Sequence, residues 1–403
     1  MAARSIVPGE FFVMDDEIAR PIDRAALLER AENADYILVG EGHTSRCDHE
    51  AQATVLRWLA TSRQSGPAVA LEMVGMDRQP GLDLFNRGTL SAHDVSVVLD
   101  WERSWGHDFL AYGPVFSEAA RHRLPLYAAN LPPGAARAYG RGGVEALDPA
   151  HRKYLPERII PAGEPQREDL REVFEHHAAM MQDRPEGNGT MDFPDARTET
   201  ADVAERSETG AIPETPRDDA RPEQGEESGP MRDESKPVVE ESLADGAGKD
   251  EEPSGKDTEA MFERFITVQS LWDTVMAENA VHIRRREGAP VVVLAGSGHV
   301  DYGWGIALRL AVLDPEAEVL LVAPWRRHPA EQPPAEDVSD VYFYCPLPPG
   351  TRMMGVPAPD QDADQEDPPD EITGHDSAAG DAEPMPPSES QEPETPHADG
   401  DAD

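Results

Sequence analysis

The sequence is poor in cysteine and in aromatic residues, and it has no long apolar run. Its 403 residues include two cysteines, Cys47 and Cys345, which allow one bridge without requiring it and build no disulfide framework. No stretch reaches the roughly 20 apolar residues of a membrane-spanning helix, so we expect no membrane span. The N-terminal segment lacks the apolar core and small-residue cleavage site of a signal peptide. These absences predict a cytoplasmic protein.

Positive charge is scarce, and the acidic excess is concentrated in two segments. Residues 183–256 carry 22 Asp and Glu against nine Lys and Arg, and residues 357–403 carry 16 acidic residues and no Lys or Arg. Both segments are rich in Pro, Gly, Ser and Glu, so they cannot bury enough apolar surface to offset the entropy of ordering. We predict a disordered acidic insertion and a disordered acidic tail. Because no basic stripe is present, we expect no nucleic-acid partner.

Outside the acidic segments, short apolar runs alternate with amphipathic stretches. The apolar runs predict strands at 36–39, 67–71, 126–129, 291–295 and 318–322. Strands that alternate with helices predict an α/β fold with a mostly parallel sheet flanked by helices. The pattern resumes after the insertion, so we divide one domain into halves at 1–182 and 257–330. An extension at 331–356 precedes the tail.

Two similar turns end in histidine. Val39–His43 reads VGEGH after the first predicted strand, and Ala295–His299 reads AGSGH after the fourth. Glycines at such strand-to-helix turns permit close backbone approach. Because the carboxyl ends of parallel strands lie at one edge of a sheet, His43 and His299 are expected to converge there.

Other polar residues are predicted at the same edge. Glu72 ends the second strand, Asn130 ends the third, and Glu41 lies two residues before His43. Two imidazoles with one or two carboxylates can ligate a divalent metal, or can serve as acid, base and orienting groups in hydrolysis. Glu72 is also compatible with a structural ion pair, and Asn130 with a hydrogen bond inside its turn.

A long helix predicted at 257–286 carries Gln269, Asp273 and Met276 along one stripe. Residues at this spacing share a helix face. The stripe therefore predicts either polar groups that support a site or a solvated helix edge.

An aromatic and polar cluster precedes another predicted helix. Trp101, Trp105, His107 and Tyr112 can wall a flat apolar ligand such as a porphyrin, or can form ordinary core. Tyrosine and histidine both ligate haem iron, so Tyr112 and His107 are candidate axial ligands.

The ordered segments resemble the ChaN-like haem-binding uptake family of the Tiki superfamily, which also includes erythromycin esterases. The resemblance rests on seven segments that keep their order and spacing. They are YILVGEGH (36–43), VALEM (69–73), QPGLD (79–83), WGHDFLAYGP (105–114), LPLYAANLP (124–132), QSLWDTVMA (269–277) and VVVLAGSGHV (291–300).

The resemblance implies an α/β core with a helical subdomain and a ligand cleft at the paired turns. In the superfamily, such turns with a glutamate are associated with metal-dependent hydrolysis, which here implicates His43, His299 and either Glu41 or Glu72. ChaN-like members are associated instead with haem binding and iron acquisition, with haem held at a dimer interface, so the resemblance implies a haem-binding or iron-handling protein. The resemblance therefore implies haem or a small molecule as ligand and a homodimer. The two acidic segments have no counterpart in the family pattern.

Overall fold

The computed structural model describes residues 5–16, 18–62, 66–182, 255–335 and 337–347. Nearly all of the predicted acidic insertion and the whole predicted acidic tail lie outside these residues. Their disorder, and the division of the chain around them, stay predictions.

The described residues form an eight-stranded sheet. Its strands are β1 (Phe11–Asp15), β2 (Ile18–Ile22), β3 (Tyr36–Glu41), β4 (Ala68–Gly75), β5 (Leu126–Asn130), β6 (Val291–Gly296), β7 (Val319–Trp325) and β8 (Val341–Tyr344). They lie in the order β2-β1-β8-β7-β3-β6-β4-β5. Neighbours from β8 to β5 are parallel, whereas β1 is antiparallel to both β8 and β2. The predicted α/β class with a mostly parallel sheet is confirmed.

Eleven α-helices connect and cover the strands in the described part of the chain. They are α1 (Arg24–Arg30), α2 (Arg46–Ala60), α3 (Gln79–Asn86), α4 (Asp94–Val98), α5 (Trp101–Ser104), α6 (Phe109–His122), α7 (Ala135–Gly142), α8 (Glu164–Gln182), α9 (Gly255–Glu287), α10 (Ser297–Val300) and α11 (Ile306–Leu313). Short 3-10 helices occur at Met76–Arg78, Gly143–Ala146, Arg152–Tyr154 and Asp301–Gly303.

The central strands are buried on both faces, which is why they read as continuous apolar runs. On β3, Ile37 and Val39 face the cluster built on α2 and α6, whereas Tyr36 and Leu38 face the cluster built on α9 and α11. This alternation follows the two-residue period of a strand. The core therefore has two layers, and the carboxyl ends of the strands lie between them.

All five predicted strands continue further than their apolar runs, and Glu72, which was predicted to end the second strand, lies inside β4 because that strand continues to Gly75. The ladder between β3 and β6 extends through Gly40 with Ala295 and through Glu41 with Gly296. The first glycine of each predicted turn thus belongs to a strand. His43 lies two residues after the end of β3, and His299 lies three residues after the end of β6, in α10. Helix α2 begins at Arg46 because the Ser45 side chain caps it, accepting a hydrogen bond from the Asp48 backbone N–H.

The edge strands β1, β2 and β8 were not predicted. β8 lies within the predicted extension at 331–356, where its four residues pair with β7 and two of them, Tyr342 and Phe343, also pair with β1. A strand this short takes its stability from neighbours that are distant in sequence, so its local pattern gives little signal.

Cys47 and Cys345 form a disulfide that joins the first turn of α2 to the residue after β8. Disulfides persist mainly in oxidising compartments, so this bond does not favour the expected cytoplasmic location, which stays a prediction. None of the described helices is both long enough and apolar enough to cross a membrane.

Candidate functional site

The Glu41 carboxylate at the end of β3 is the centre of a buried polar cluster. Its Oε1 lies 2.9 Å from His43 Nδ1 and accepts a hydrogen bond from the Tyr112 hydroxyl at 2.6 Å. Its Oε2 accepts one from Gln52 Nε2 at 2.8 Å and lies 3.5 Å from His49 Nε2. All five side chains are buried. The cluster fixes the His43 ring through its Nδ1.

Charge on Glu41 is stabilised by the imidazoles around it. Burial by itself raises the pKa of the Glu41 carboxyl, but the charge and hydrogen bonds of His49 and His43 outweigh burial and hold that pKa well below its usual range. Burial, followed by the negative charge of Glu41, raises the pKa of Tyr112 well above its ordinary value. Tyr112 is therefore a protonated donor beside an ionised carboxylate.

Helix α2 supplies the two members of this cluster that were not predicted from the sequence. His49 and Gln52 are three residues apart, so they lie on one helix face, and that face is the buried one. The signal in the sequence that could have identified them is a pair of polar residues on the otherwise apolar face of an amphipathic helix. His49 also packs on Tyr112, with ring centroids 3.8 Å apart.

A second buried cluster surrounds His299, just beyond β6. Its Nδ1 lies 2.6 Å from Asp273 Oδ1, and its Nε2 lies 3.6 Å from Glu72 Oε1. Glu72 Oε2 also accepts a hydrogen bond from the Gly296 backbone N–H at 2.6 Å. His299 therefore lies between two carboxylates, one from α9 and one from β4.

Asp273 is held from behind by two further side chains. Its Oδ2 accepts a hydrogen bond from Gln166 Nε2 at 2.9 Å and lies 3.3 Å from Arg309 Nη1. Gln166 is on α8 and Arg309 is on α11, and both are buried. Neither residue was predicted from the sequence, because no local pattern connects Gln166 or Arg309 with Asp273, which is more than 30 positions away from each of them.

The two clusters are neighbours at the carboxyl edge of the sheet. Glu41 and Gly296 are partners in the β3–β6 ladder, and Gly296 donates to Glu72. Glu72 therefore lies beside both clusters. We refer to Glu41, His43, Glu72, Asp273 and His299 together as the paired-turn site.

Aromatic residues line the paired-turn site. The Trp105 ring is 4.6 Å from the His43 ring, and the His107 ring is 5.3 Å from it. Trp105 Nε1 donates to the Tyr112 hydroxyl at 3.1 Å, and Trp272 lies 6.3 Å from His299. We refer to His43, Trp105 and His107 as the aromatic wall. Trp105 and His107 are half-buried, whereas Trp101 is buried core.

The three remaining predicted site residues differ in the contacts that they make. Asn130 Oδ1 accepts a hydrogen bond from the Leu131 backbone N–H at 2.7 Å, inside its own turn. Gln269 is buried on α9, one turn before Asp273. Met276 packs in the core cluster between α9 and the sheet. A ligand-binding role for these three stays a prediction.

Metal-ligating side chains are dispersed across the site. Among the residues that the structure describes, His, Cys, Asp and Glu groups near enough to share one ion occur only at Cys47, Asp48 and Cys345. The two sulfurs of that group are already joined in the disulfide. His43 and His299 are not members of such a group, so a shared metal ion at this pair stays a prediction.

The backbone after His299 is packed so closely that one glycine is required. A Cβ added at Gly305 would collide with the His299 carbonyl group, which is backbone and cannot rotate away. We expect Gly305→Ala to displace the His299 turn and to lower the free energy of unfolding by about 1–3 kcal/mol. Gly113→Ala in α6 is the matched control, because its Cβ meets nothing within 4 Å. Urea unfolding measures both, and equal effects would contradict the packing argument.

Comparison with known proteins agrees with this fold. A family model described as haem-binding uptake, Tiki superfamily, ChaN matches residues 27–310. A structure of cofacial haem binding to ChaN of Campylobacter jejuni is similar, with a TM-score of 0.51 and 16% identity, over 83% of this chain and 96% of that chain.

A mutant of the erythromycin esterase EreC in its open conformation gives a TM-score of 0.35 and 14% identity, over 74% of this chain and 72% of that one. Comparison with curated proteins gives no match.

The family match covers most of the chain and spans every residue of the paired-turn site. The chain therefore belongs to the haem-binding uptake family of the Tiki superfamily, the ChaN family.

Proposed function

We propose that this protein binds haem against the aromatic wall of the paired-turn site, with His107 as the axial ligand. The observation that carries the proposal is the position of His107. It is half-buried, and its ring lies 5.3 Å from that of His43 and 5.4 Å from that of Trp105. An imidazole among flat aromatic faces suits a planar ligand that also needs one axial group.

The donor set fits haem better than it fits a bare divalent ion. A catalytic zinc site uses three protein ligands close together, and within the described ranges the paired-turn site holds no such group. Haem brings its own equatorial nitrogens and requires only an axial side chain from the protein. When bound, haem supplies an iron centre that can change oxidation state.

Tyr112 suits a supporting role better than axial ligation. It is fully buried, its hydroxyl donates to Glu41, and its pKa is raised, so forming the tyrosinate that binds iron is unfavourable. Tyr112 and Glu41 instead hold His43 in place. Residues that orient a binding group from behind affect affinity without touching the ligand.

Titration of the purified protein with haemin, followed at the Soret band, tests the proposal. We expect saturation at one haem per chain, and we expect His107→Ala to shift the band and weaken binding about 10- to 100-fold. His43→Ala should weaken binding without the same spectral change. His93→Ala is the matched control, because it makes the same change at an exposed histidine. Identical titrations for all four proteins would overturn the proposal.

The second candidate function is metal-dependent hydrolysis of an ester or peptide. The observation that favours it is His299, whose Nδ1 faces Asp273 while its Nε2 is 3.6 Å from Glu72. An imidazole between two carboxylates can transfer protons. On this reading His43, Glu72 and His299 are the catalytic residues, and His43 and His299 bind the metal. Cleavage in an ester and peptide screen that needs zinc or manganese, and is lost in His299→Ala, would favour it over haem binding.

A homodimer is part of the proposal, because the family resemblance implies haem at a subunit interface. Light scattering of the haem-free and haem-loaded protein tests it. A mass that stays monomeric in both states would exclude haem bound between two copies.

A further inference from the structure

The His299 imidazole lies between two carboxylates, and one of them, Asp273, is held in place by the buried side chains of Gln166 and Arg309. We propose that Arg309 and Gln166 are positioning residues that fix the Asp273 carboxylate, so that His299 keeps its proton on Nδ1 and turns Nε2 toward Glu72. The effect that we expect on haem affinity rests on the proposed function, whereas the position of the proton on His299 does not.

Both oxygens of Asp273 are engaged. Oδ1 lies 2.6 Å from His299 Nδ1, while Oδ2 accepts from Gln166 Nε2 at 2.9 Å and faces Arg309 Nη1 at 3.3 Å. A carboxylate held at both oxygens cannot rotate without breaking a buried hydrogen bond. Because an ionised carboxylate only accepts, the atom that faces it on His299 must be an N–H donor.

Arg309 is itself held rigidly, as a positioning residue must be. Its Nη1 donates to Gln166 Oε1 at 2.6 Å and to the Gly305 carbonyl oxygen at 3.1 Å, and its Nε donates to the Ile160 carbonyl oxygen at 3.3 Å. The guanidinium is fully buried. Burying a charge in this way is costly and is weak support for a stabilising role, so a role in placing Asp273 is the better account.

Glu72 is the competing acceptor for the His299 proton. Its Oε1 lies 3.6 Å from His299 Nε2, and its Oε2 accepts from the Gly296 N–H. A proton on Nε2 would point at Glu72 and would leave Nδ1 as an acceptor facing Asp273. Arg309 and Gln166 hold the Asp273 carboxylate beside Nδ1, which favours the proton on Nδ1 over the proton on Nε2. The tautomer of His299 therefore depends on groups that do not touch it.

Imidazole ¹⁵N chemical shifts in histidine-labelled, haem-free protein report the tautomer directly. The His299 signals are assigned by their loss in His299→Gln, and spectra are taken at about pH 8, above the ordinary histidine pKa. We expect the Nδ1–H tautomer in the wild-type protein. Arg309→Met and Gln166→Leu should move a measurable fraction to Nε2–H, and should weaken haem binding about 10-fold.

Two further variants serve as controls. Arg309→Lys keeps the positive charge and should retain more of the Nδ1–H tautomer than Arg309→Met. Arg285→Met makes the same change at an exposed position on α9 and should alter nothing. If Arg309→Met does not fold, Gln166→Leu decides, because it removes no charge.

An unchanged His299 tautomer in folded Arg309→Met and Gln166→Leu would overturn the proposal. If the wild-type protein binds no haemin, the proposed function fails, and the tautomer comparison still tests the inference independently.

Discussion

Removing the Cys47–Cys345 disulfide is expected to lower the free energy of unfolding by about 3–5 kcal/mol. The bond joins residues 298 positions apart, so it restricts the unfolded chain over most of its length. It also ties α2 to the residue after β8, a strand of four residues. Urea unfolding of Cys47→Ser/Cys345→Ser beside the oxidised wild-type protein measures the difference.

The double variant also provides the control, because dithiothreitol should destabilise the wild-type protein and leave the variant unchanged. We expect the His43 turn to survive reduction. Asp48 accepts a hydrogen bond from the Gly42 N–H at 2.7 Å and pairs with Arg326 through both carboxylate oxygens, at 2.6 and 2.7 Å. Equal stability of the oxidised wild type and the double variant would contradict the structural role of the bond.

Replacing Glu41 with glutamine is expected to cost about 3–5 kcal/mol near pH 7, because it removes one partner from a buried charged cluster. The loss should depend on pH. The pKa of Glu41 is lowered by folding, so its ionisation stabilises the folded state above the unfolded pKa of about 4.3 and stops doing so as the pH falls toward the folded value. The difference between wild type and Glu41→Gln should therefore shrink below about pH 4.

Glu50→Gln is the matched control for this prediction. Glu50 is on the same helix that supplies His49, but its side chain is exposed and pairs with exposed Arg46. Exposed pairs of this kind contribute about 0–1 kcal/mol. Denaturant unfolding at several pH values compares the variants. A Glu41→Gln cost as small as that of Glu50→Gln, or one that grows as the pH falls, would contradict the assignment of an ionised Glu41.

The sequence predicted those parts of the fold that are built from local patterns. Continuous apolar runs marked β3 to β7, because strands buried on both faces need no polar residues. The rule that parallel strands end at one edge was enough to expect His43, Glu72 and His299 in one region. The edge strands β1, β2 and β8 were not predicted. β1 and β2 pair with each other as a hairpin that was missed, whereas β8 is four residues long and pairs with β1 from more than 300 positions away along the chain.

The supporting residues of the site were not predicted from the sequence either. His49, Gln166 and Arg309 all lie on helices, where a polar residue ordinarily indicates a solvated face. Only the packing of α8, α9 and α11 on one another brings Gln166 and Arg309 to Asp273. The pairing of the two cysteines could not be predicted either. Two cysteines this far apart in sequence are bonded in some folds and separate in others, and composition does not distinguish the two cases.

The central claim, that haem is the ligand of this site, is tested most directly by the absorption spectrum and metal content of the purified protein. The protein is prepared from cells supplied with a haem precursor, and haem is quantified as its pyridine complex. We predict a Soret band and iron in equal amount to protoporphyrin, with zinc and manganese well below one per chain. One zinc, manganese or non-haem iron per chain, without a Soret band, would contradict the claim and favour the hydrolase.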